Sequence, residues 1–394
     1  MILQKVIKKS LIGCGIFACW VGAFSAETTT SQQLQQVVDS AQKKLEINAV
    51  SLSVLMPGEK QPNSFFVGEK SISDKTPIDE NTIFKVGSIA KTYTAVLTAQ
   101  AIDEGKLKLT DKLGQFLPQY SQWKDVTISQ LINQTSGIMD YDETPNWWRN
   151  LMVEEGKVWT AKELVQLAYD GQSDFAPGEG WGYSNTNYVL LGMILEQVYH
   201  EPAETLTTQL IKQADLKHTY YYTTPYSQLI YAQLVHGYFQ NQYDETELNG
   251  SWLRTAGATL STPTDMVKWM YTLFNDHSIK GLPISTRFNF IDTANGQPYS
   301  ASSVIGYSFG VFERKTPEGP IYFTPGLTSG YVSMMVYAPC LDTYFAYSGS
   351  KAPIPGFHDF MLSNVMGVLA HDTKLQSILS KKPLPAYCHG VVSS

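Results

Sequence analysis

Four serines in this chain are followed three residues later by a lysine: Ser40/Lys43, Ser88/Lys91, Ser121/Lys124 and Ser348/Lys351. A serine hydroxyl becomes a nucleophile when a neighbouring base takes its proton. A lysine can be that base once it is partly desolvated and has lost its own proton. On a helix, residues i and i+3 share one face, so the amine can reach the hydroxyl. The surroundings separate the four pairs. Ser40 reads as mid-helix among glutamines and lysines, Ser121 as a polar loop after Pro118, and Ser348 as a glycine-flanked turn. Only Ser88 follows an extended apolar lead-in, residues 83–87, and opens an apolar helix with Val96, Leu97, Ala101 and Ile102 on one stripe and Gly105 as its stop. The N-terminus of a helix also offers partial positive charge and N–H groups to a developing oxyanion.

A second constellation is Tyr183-Ser184-Asn185, between the turn Pro177-Gly178-Glu179-Gly180 and a helix from Thr186. A phenol can carry a proton to a leaving group if nearby cations lower its pKa. The asparagine amide can hold a substrate carbonyl or the lysine. A rival nucleophile is Ser308 in Gly306-Tyr-Ser-Phe-Gly310, which has the G-x-S-x-G form. That motif needs a strand, a sharp turn and then a helix. Val311-Phe312 instead continues an extended pattern, so Ser308 reads as a strand residue.

The elements that must position these groups follow from periodicity. Leu34, Val37, Val38, Ala41 and Leu45 recur at helical spacing, and Val50, Leu52, Val54 and Met56 then alternate as a strand. The middle of the chain reads as mostly helical, with capping patterns at Thr127–Gln130 and Thr160–Glu163 and Pro263 at a helix start. Strands return at residues 308–313, 321–323, 330–337 and 343–347, and one last helix is expected over about 357–380. Strands from both ends and helices between them predict an α/β plus all-α architecture. Its α/β part covers about 27–115 and 290–394, and a helical part of about 116–289 is inserted.

Taken in order, the motifs resemble those of the serine β-lactamase-related family, which includes penicillin-binding proteins, class C β-lactamases, D-alanyl-D-alanine carboxypeptidases and related esterases. The resemblance lies in Phe84-Lys-Val-Gly-Ser88-Ile-Ala-Lys91, Gly105 to Asp111, Thr127 to Gly137, Phe175 to Asn185, Ala256 to Asp265 and Gly306 to Gly310. It implies the β-lactamase/transpeptidase-like fold, an antiparallel sheet flanked by helices. It also implies Ser88 as nucleophile, Lys91 as activator, Tyr183 as general acid/base and Asn185 as a substrate-orienting residue. One motif departs. Where family members carry Lys-Thr-Gly or His-x-Gly, this chain has Thr324-Pro325-Gly326. By resemblance, Thr324 and Gly326 line the substrate site and the N–H groups of Ser88 and Leu327 form the oxyanion hole. With no cation at Thr324, a carboxylate anchor is missing. An esterase or a D-amino-acid peptidase is therefore expected ahead of an efficient β-lactamase, the alternatives being a β-lactamase or a non-catalytic penicillin-binding-like protein.

Composition bounds the rest. Of 394 residues, 43% are hydrophobic and 16% charged, enough for a sizeable core. Lys5, Lys8 and Lys9, the apolar stretch 10–22, and Ala23 and Ser25 read as a signal peptide over 1–26, with lipoprotein attachment at Cys14 or Cys19 the weaker alternative. A periplasmic or secreted protein is expected, at the membrane only if lipid-anchored. Removing those three lysines takes the net charge from −7 to −10, which argues against nucleic acid as a partner. Cys340 and Cys388 remain and could pair in an oxidising compartment. No metal or cofactor motif is present, so the expected partner is a small-molecule or peptide substrate alone.

Overall fold

The computed structural model describes residues 29–388 apart from 146, 148–150, 152–155 and 301; the signal-peptide reading of 1–26 lies outside the described residues. The chain begins with helix α1, Thr30–Leu45, whose capping box pairs Thr29 with Gln32 and whose buried stripe is Leu34, Val37, Val38 and Ala41. A hairpin follows, β1 (Ala49–Leu55) and β2 (Asn63–Gly68). The rest of the main sheet comes from late in the chain: β3 (Ile291–Asp292), β4 (Ile305–Ser308), β5 (Val311–Thr316), β6 (Gly319–Thr328), β7 (Tyr331–Ala338) and β8 (Thr343–Gly349). Its order is β2-β1-β8-β7-β6-β5-β4-β3, antiparallel throughout. The two ends of the chain therefore meet at β1 and β8, with Leu52 opposite Tyr347.

β8 is buried at every position and β1 at all but its last, so both faces of the sheet are covered. Side chains alternate between faces along a strand. Ser53 points to the face where Thr264 of helix α4 (Pro263–Asn275) lies, 3.0 Å away. Gly349, opposite Val50, faces Phe357 of helix α5 (Phe357–Ala370) on the other. Between β2 and β3 the chain builds the helical part around α2 (Ala90–Asp103) and α3 (Asn185–Tyr199). A small sheet of Phe84–Lys85, Thr259–Ser261 and Tyr220–Tyr221 joins the two parts just before Ser88.

Three local expectations are corrected. Ser348 lies within β8, paired through its hydroxyl to Ser333 at 2.8 Å, because the strand runs through Gly349 instead of turning there. The extended run at 308–313 is a hairpin, turned at Phe309 and Gly310 with φ of 49° and 82°. The last helix is two: α5 ends at Ala370, and Asp372 caps a new helix, Thr373–Leu379, by accepting from the Leu375 N–H at 2.7 Å. Cys340 and Cys388 are bonded, with Cα atoms 5.2 Å apart, so the tail is held at the end of β7. Among the described residues no helix is long and apolar enough to cross a membrane.

Candidate active site

Ser88 sits in a 3-10 turn, Gly87–Ile89, that runs into α2, and it is 6% exposed. The turn lies against the face of β6. A side chain on Gly326 would begin 2.0 Å from the Val86 carbonyl, and one on Gly87, at φ 52°, would begin 2.6 Å from the Leu327 carbonyl. Only glycine permits that approach. It packs Gly87, the residue before Ser88, against the Leu327 peptide and Val86 against Gly326. β6 also outruns its neighbour. It pairs with β5 as far as Phe323, opposite Phe312, and from Thr324 to Thr328 its pairing is with β7.

The four residues of the first two motifs converge. Lys91 Nζ is 3.2 Å from Ser88 Oγ, and Tyr183 OH is 2.7 Å from the same oxygen. Lys91 Nζ also lies 2.6 Å from Asn185 Oδ1 and 2.8 Å from the Ala256 carbonyl. A neutral amine has two N–H donors and one lone pair. As an ammonium Lys91 gives one hydrogen to each of these three oxygens; as the neutral amine it gives two to the carbonyl oxygens and turns its lone pair to the Ser88 hydroxyl. Burial lowers the Lys91 pKa to about 7, against the pull of Asp140 and Asp142.

Tyr183 lacks the lowered pKa that nearby cations would give a phenol. Burial, with Tyr307 beside it, holds its pKa well above the ordinary phenol value, although the Lys91 amine lies 4.7 Å from its ring centre. It therefore stands as a phenol donating to Ser88 Oγ. The Tyr183 loop is pinned by Gln134, which sits at φ 64°. The Gln134 side-chain oxygen accepts from the Ser184 N–H at 3.1 Å and its backbone carbonyl from the Gly182 N–H at 3.0 Å.

Two acids were not anticipated. Asp140 and Asp142 are buried beneath the site and accept from the two hydrogens of Asn185 Nδ2, at 3.1 and 3.2 Å. Their sequence signal was present: two acids two apart in the otherwise apolar run Ile138-Met139-Asp140-Tyr141-Asp142, after Thr135-Ser136-Gly137. Burial raises both pKa values, Asp142 to about 6.

Of the remaining sequence candidates, Gly326 and Leu327 lie against the nucleophile turn. Thr324 is 2% exposed and donates its hydroxyl to the Gly310 carbonyl at 2.9 Å. The cations that could have replaced a third-motif lysine are committed elsewhere. Lys351 donates to the Leu45 and Glu46 carbonyls, and Arg254 to the Trp159 carbonyl. Ser308 is buried, 3.4 Å from Asn133 Oδ1, and among the described residues no histidine is one of its hydrogen-bond partners. Among the described residues no group of three or more His, Cys, Asp or Glu is arranged to hold a metal ion.

Residues 34–364 match the beta-lactamase family. A penicillin-binding protein of Bacillus subtilis is 27% identical over 321 residues, 77% of this chain and 68% of that one. A β-lactamase of Pseudomonas fluorescens is 31% identical over 207 residues, 51% of this chain and 54% of the relative. A D-amino acid amidase from Ochrobactrum anthropi SV3, solved with L-phenylalanine amide, superposes with a TM-score of 0.75 at 20% identity, covering 87% of this chain and 99% of that one. With the fold, the family match and the convergence of its motif residues in agreement, the chain belongs to the beta-lactamase family of serine hydrolases.

Proposed function

We propose that this protein hydrolyses an uncharged ester or amide, in the manner of a carboxylesterase or a D-amino-acid peptidase or amidase, through an acyl-enzyme on Ser88. One observation carries the reading: the two donors of a neutral Lys91 are matched by two carbonyls, so its lone pair faces Ser88. In acylation Lys91 takes the Ser88 proton and Oγ bonds to the substrate carbonyl carbon. The carbonyl oxygen becomes an oxyanion beside the Ser88 and Leu327 peptide groups. Tyr183 gives its phenol proton to the leaving nitrogen or oxygen and regains one from the Lys91 ammonium. Water then releases the acid by the same steps in reverse.

The preference for an uncharged leaving side rests on Thr324, whose hydroxyl is already used on Gly310. The stretch of β6 from Thr324 to Thr328 suits a peptide-like substrate laid alongside it as a further strand. That a structural neighbour is a D-amino acid amidase supports the amide reading. The pattern of residues 1–26 and the Cys340–Cys388 bond support an exported protein.

The test is intact mass after incubation with a fluorophosphonate and, separately, with a penicillin. A full-stoichiometry adduct with the first, absent in Ser88→Ala and retained in Ser308→Ala, is expected. Rapid penicillin turnover by the wild type would overturn the substrate preference, and labelling of Ser88→Ala would overturn the site.

A further inference from the structure

A cavity of about 90 Å³ opens in the helical part, and none of Ser88, Lys91, Tyr183 or Asn185 lines it. A single enclosed water needs about 10–15 Å³ on the same measure, so the space takes several waters or one small molecule. Part of its lining is apolar, with Val189 and Met193 of α3, and three charged side chains share the rest: Arg254, Glu196 and Glu204. These charges do not cancel across the cavity. Arg254 gives its Nε–H and one Nη2–H to the Trp159 carbonyl and forms no ion pair among the described residues. Glu196 Oε1 accepts from the Ala203 N–H at 3.0 Å, and Glu204 Oε2 from the Thr223 hydroxyl at 3.2 Å. That leaves one oxygen of each carboxylate, and the other N–H groups of the guanidinium, for something else.

The spacing of the charges is built into the fold. Gly192 of α3 lets Thr255, the neighbour of Arg254, come so close that a Cβ on the glycine would begin 2.4 Å from the threonine hydroxyl. Glu196 lies four residues on, about 6 Å further along the same helix face. Glu204 enters from the first turn of the helix Ala203–Gln213. Arg254 holds its place at φ 45°, a left-handed backbone that few side chains adopt.

We propose that this cavity binds a small zwitterionic α-amino acid, its carboxylate on Arg254 and its ammonium on Glu196 and Glu204. Two carboxylates and one guanidinium oppose a plain anion. A plain cation leaves the guanidinium unanswered. A zwitterion meets both with charge-assisted hydrogen bonds. The Tyr221 hydroxyl, also in the lining and without a hydrogen bond among the described residues, can donate to the ligand carboxylate. An amino acid is also what the proposed peptidase or amidase would release, but the site does not depend on that reading.

The test is a ligand-observed NMR titration of the protein with D-alanine and with L-alanine, and with acetate and methylammonium as the two halves of the zwitterion. Saturable binding of at least one alanine is expected, with a Kd on the order of 1 mM and each half at least about tenfold weaker. Glu204→Gln, at an exposed position where the amide oxygen still accepts from Thr223, should weaken alanine about tenfold, and Arg254→Gln at least as much. Ser88→Ala should bind as wild type does. No saturation by either alanine up to about 10 mM, acetate or methylammonium binding as well as alanine, or an unchanged Kd in Glu204→Gln overturns the proposal. Loss of binding in Ser88→Ala overturns it too, by placing the alanine at the nucleophile. Glu204→Gln decides even if Arg254→Gln fails to fold. Binding is read without turnover, so its absence stands apart from a failure of Ser88 to label.

Discussion

Lys85 and Lys91 lie on the same short stretch of chain and share almost every local property. They are 2% and 1% exposed, and burial lowers both to a pKa of about 7. Each donates to two carbonyl oxygens: Lys85 to Glu245 and Leu248, Lys91 to Asn185 and Ala256. Each faces two tyrosine rings. The difference is in the third direction of the nitrogen. At Lys91 it points to Ser88 Oγ, whereas Lys85 is directed into the segment 245–248 and ties it to the strand before the nucleophile. On the proposed acyl-enzyme reading, a depressed lysine pKa marks burial alone at one position and a base at the other. What the remaining lone pair can reach decides between them.

The largest expected effect follows directly. Lys91→Met should lower kcat/KM for a p-nitrophenyl ester by about 10³–10⁴, the cost of losing the base of an activated nucleophile. Lys85→Met should leave it within about threefold, while stability falls by about 1–3 kcal/mol for the two carbonyls left unpaired. The measurements are steady-state kinetics and urea unfolding on the same preparations. Equal loss of activity in the two variants would break the comparison.

Next comes a third cation. A lysine at position 324 could meet a substrate carboxylate with a charge-assisted hydrogen bond of about 1.5–3 kcal/mol, or roughly ten- to hundredfold in acylation. Thr324→Lys should therefore raise penicillin acylation by that range and leave neutral-ester hydrolysis nearly as it was. The threonine hydroxyl lost from the Gly310 carbonyl is the structural cost. Equal falls in both rates would show that Thr324 holds the hairpin at Gly310 and does not set substrate preference.

The contrast between the lysines also shows what could be read in the sequence. Ser88, Lys91, Tyr183 and Asn185 were legible because each belongs to a short local motif, and local spacing on a helix fixes geometry. The alternation at Val50–Val54 and the helical stripe of α1 were legible for the same reason. The buried state of Lys85 was not, since its partners lie some 160 residues further on. Asp140 and Asp142 were present as letters, but their meeting with Asn185 is a tertiary contact. The break between α5 and the helix Thr373–Leu379 was hidden because Asp372 resembles a solvated helix residue until its cap is seen. The burial that holds the Tyr183 pKa high was not legible, because it is a tertiary property.

The smallest effect is the most discriminating, and it concerns the acid limb of the pH profile. Lys91 must be neutral to accept the Ser88 proton, so kcat/KM should rise with pH and level off above about 7. Below that value the ammonium predominates and the rate falls about tenfold per unit. Lys85 has a similar pKa, so a limb near 7 does not by itself say which lysine is titrating. Replacement does. In Lys85→Met the limb should stay within about 0.3 of a unit, under about 0.4 kcal/mol, because that nitrogen is directed to the Glu245 and Leu248 carbonyls and has the Glu245 carboxylate near it. If the limb instead vanishes or moves by about a unit, the titrating group is Lys85, and the lone-pair argument for Lys91 loses its kinetic support.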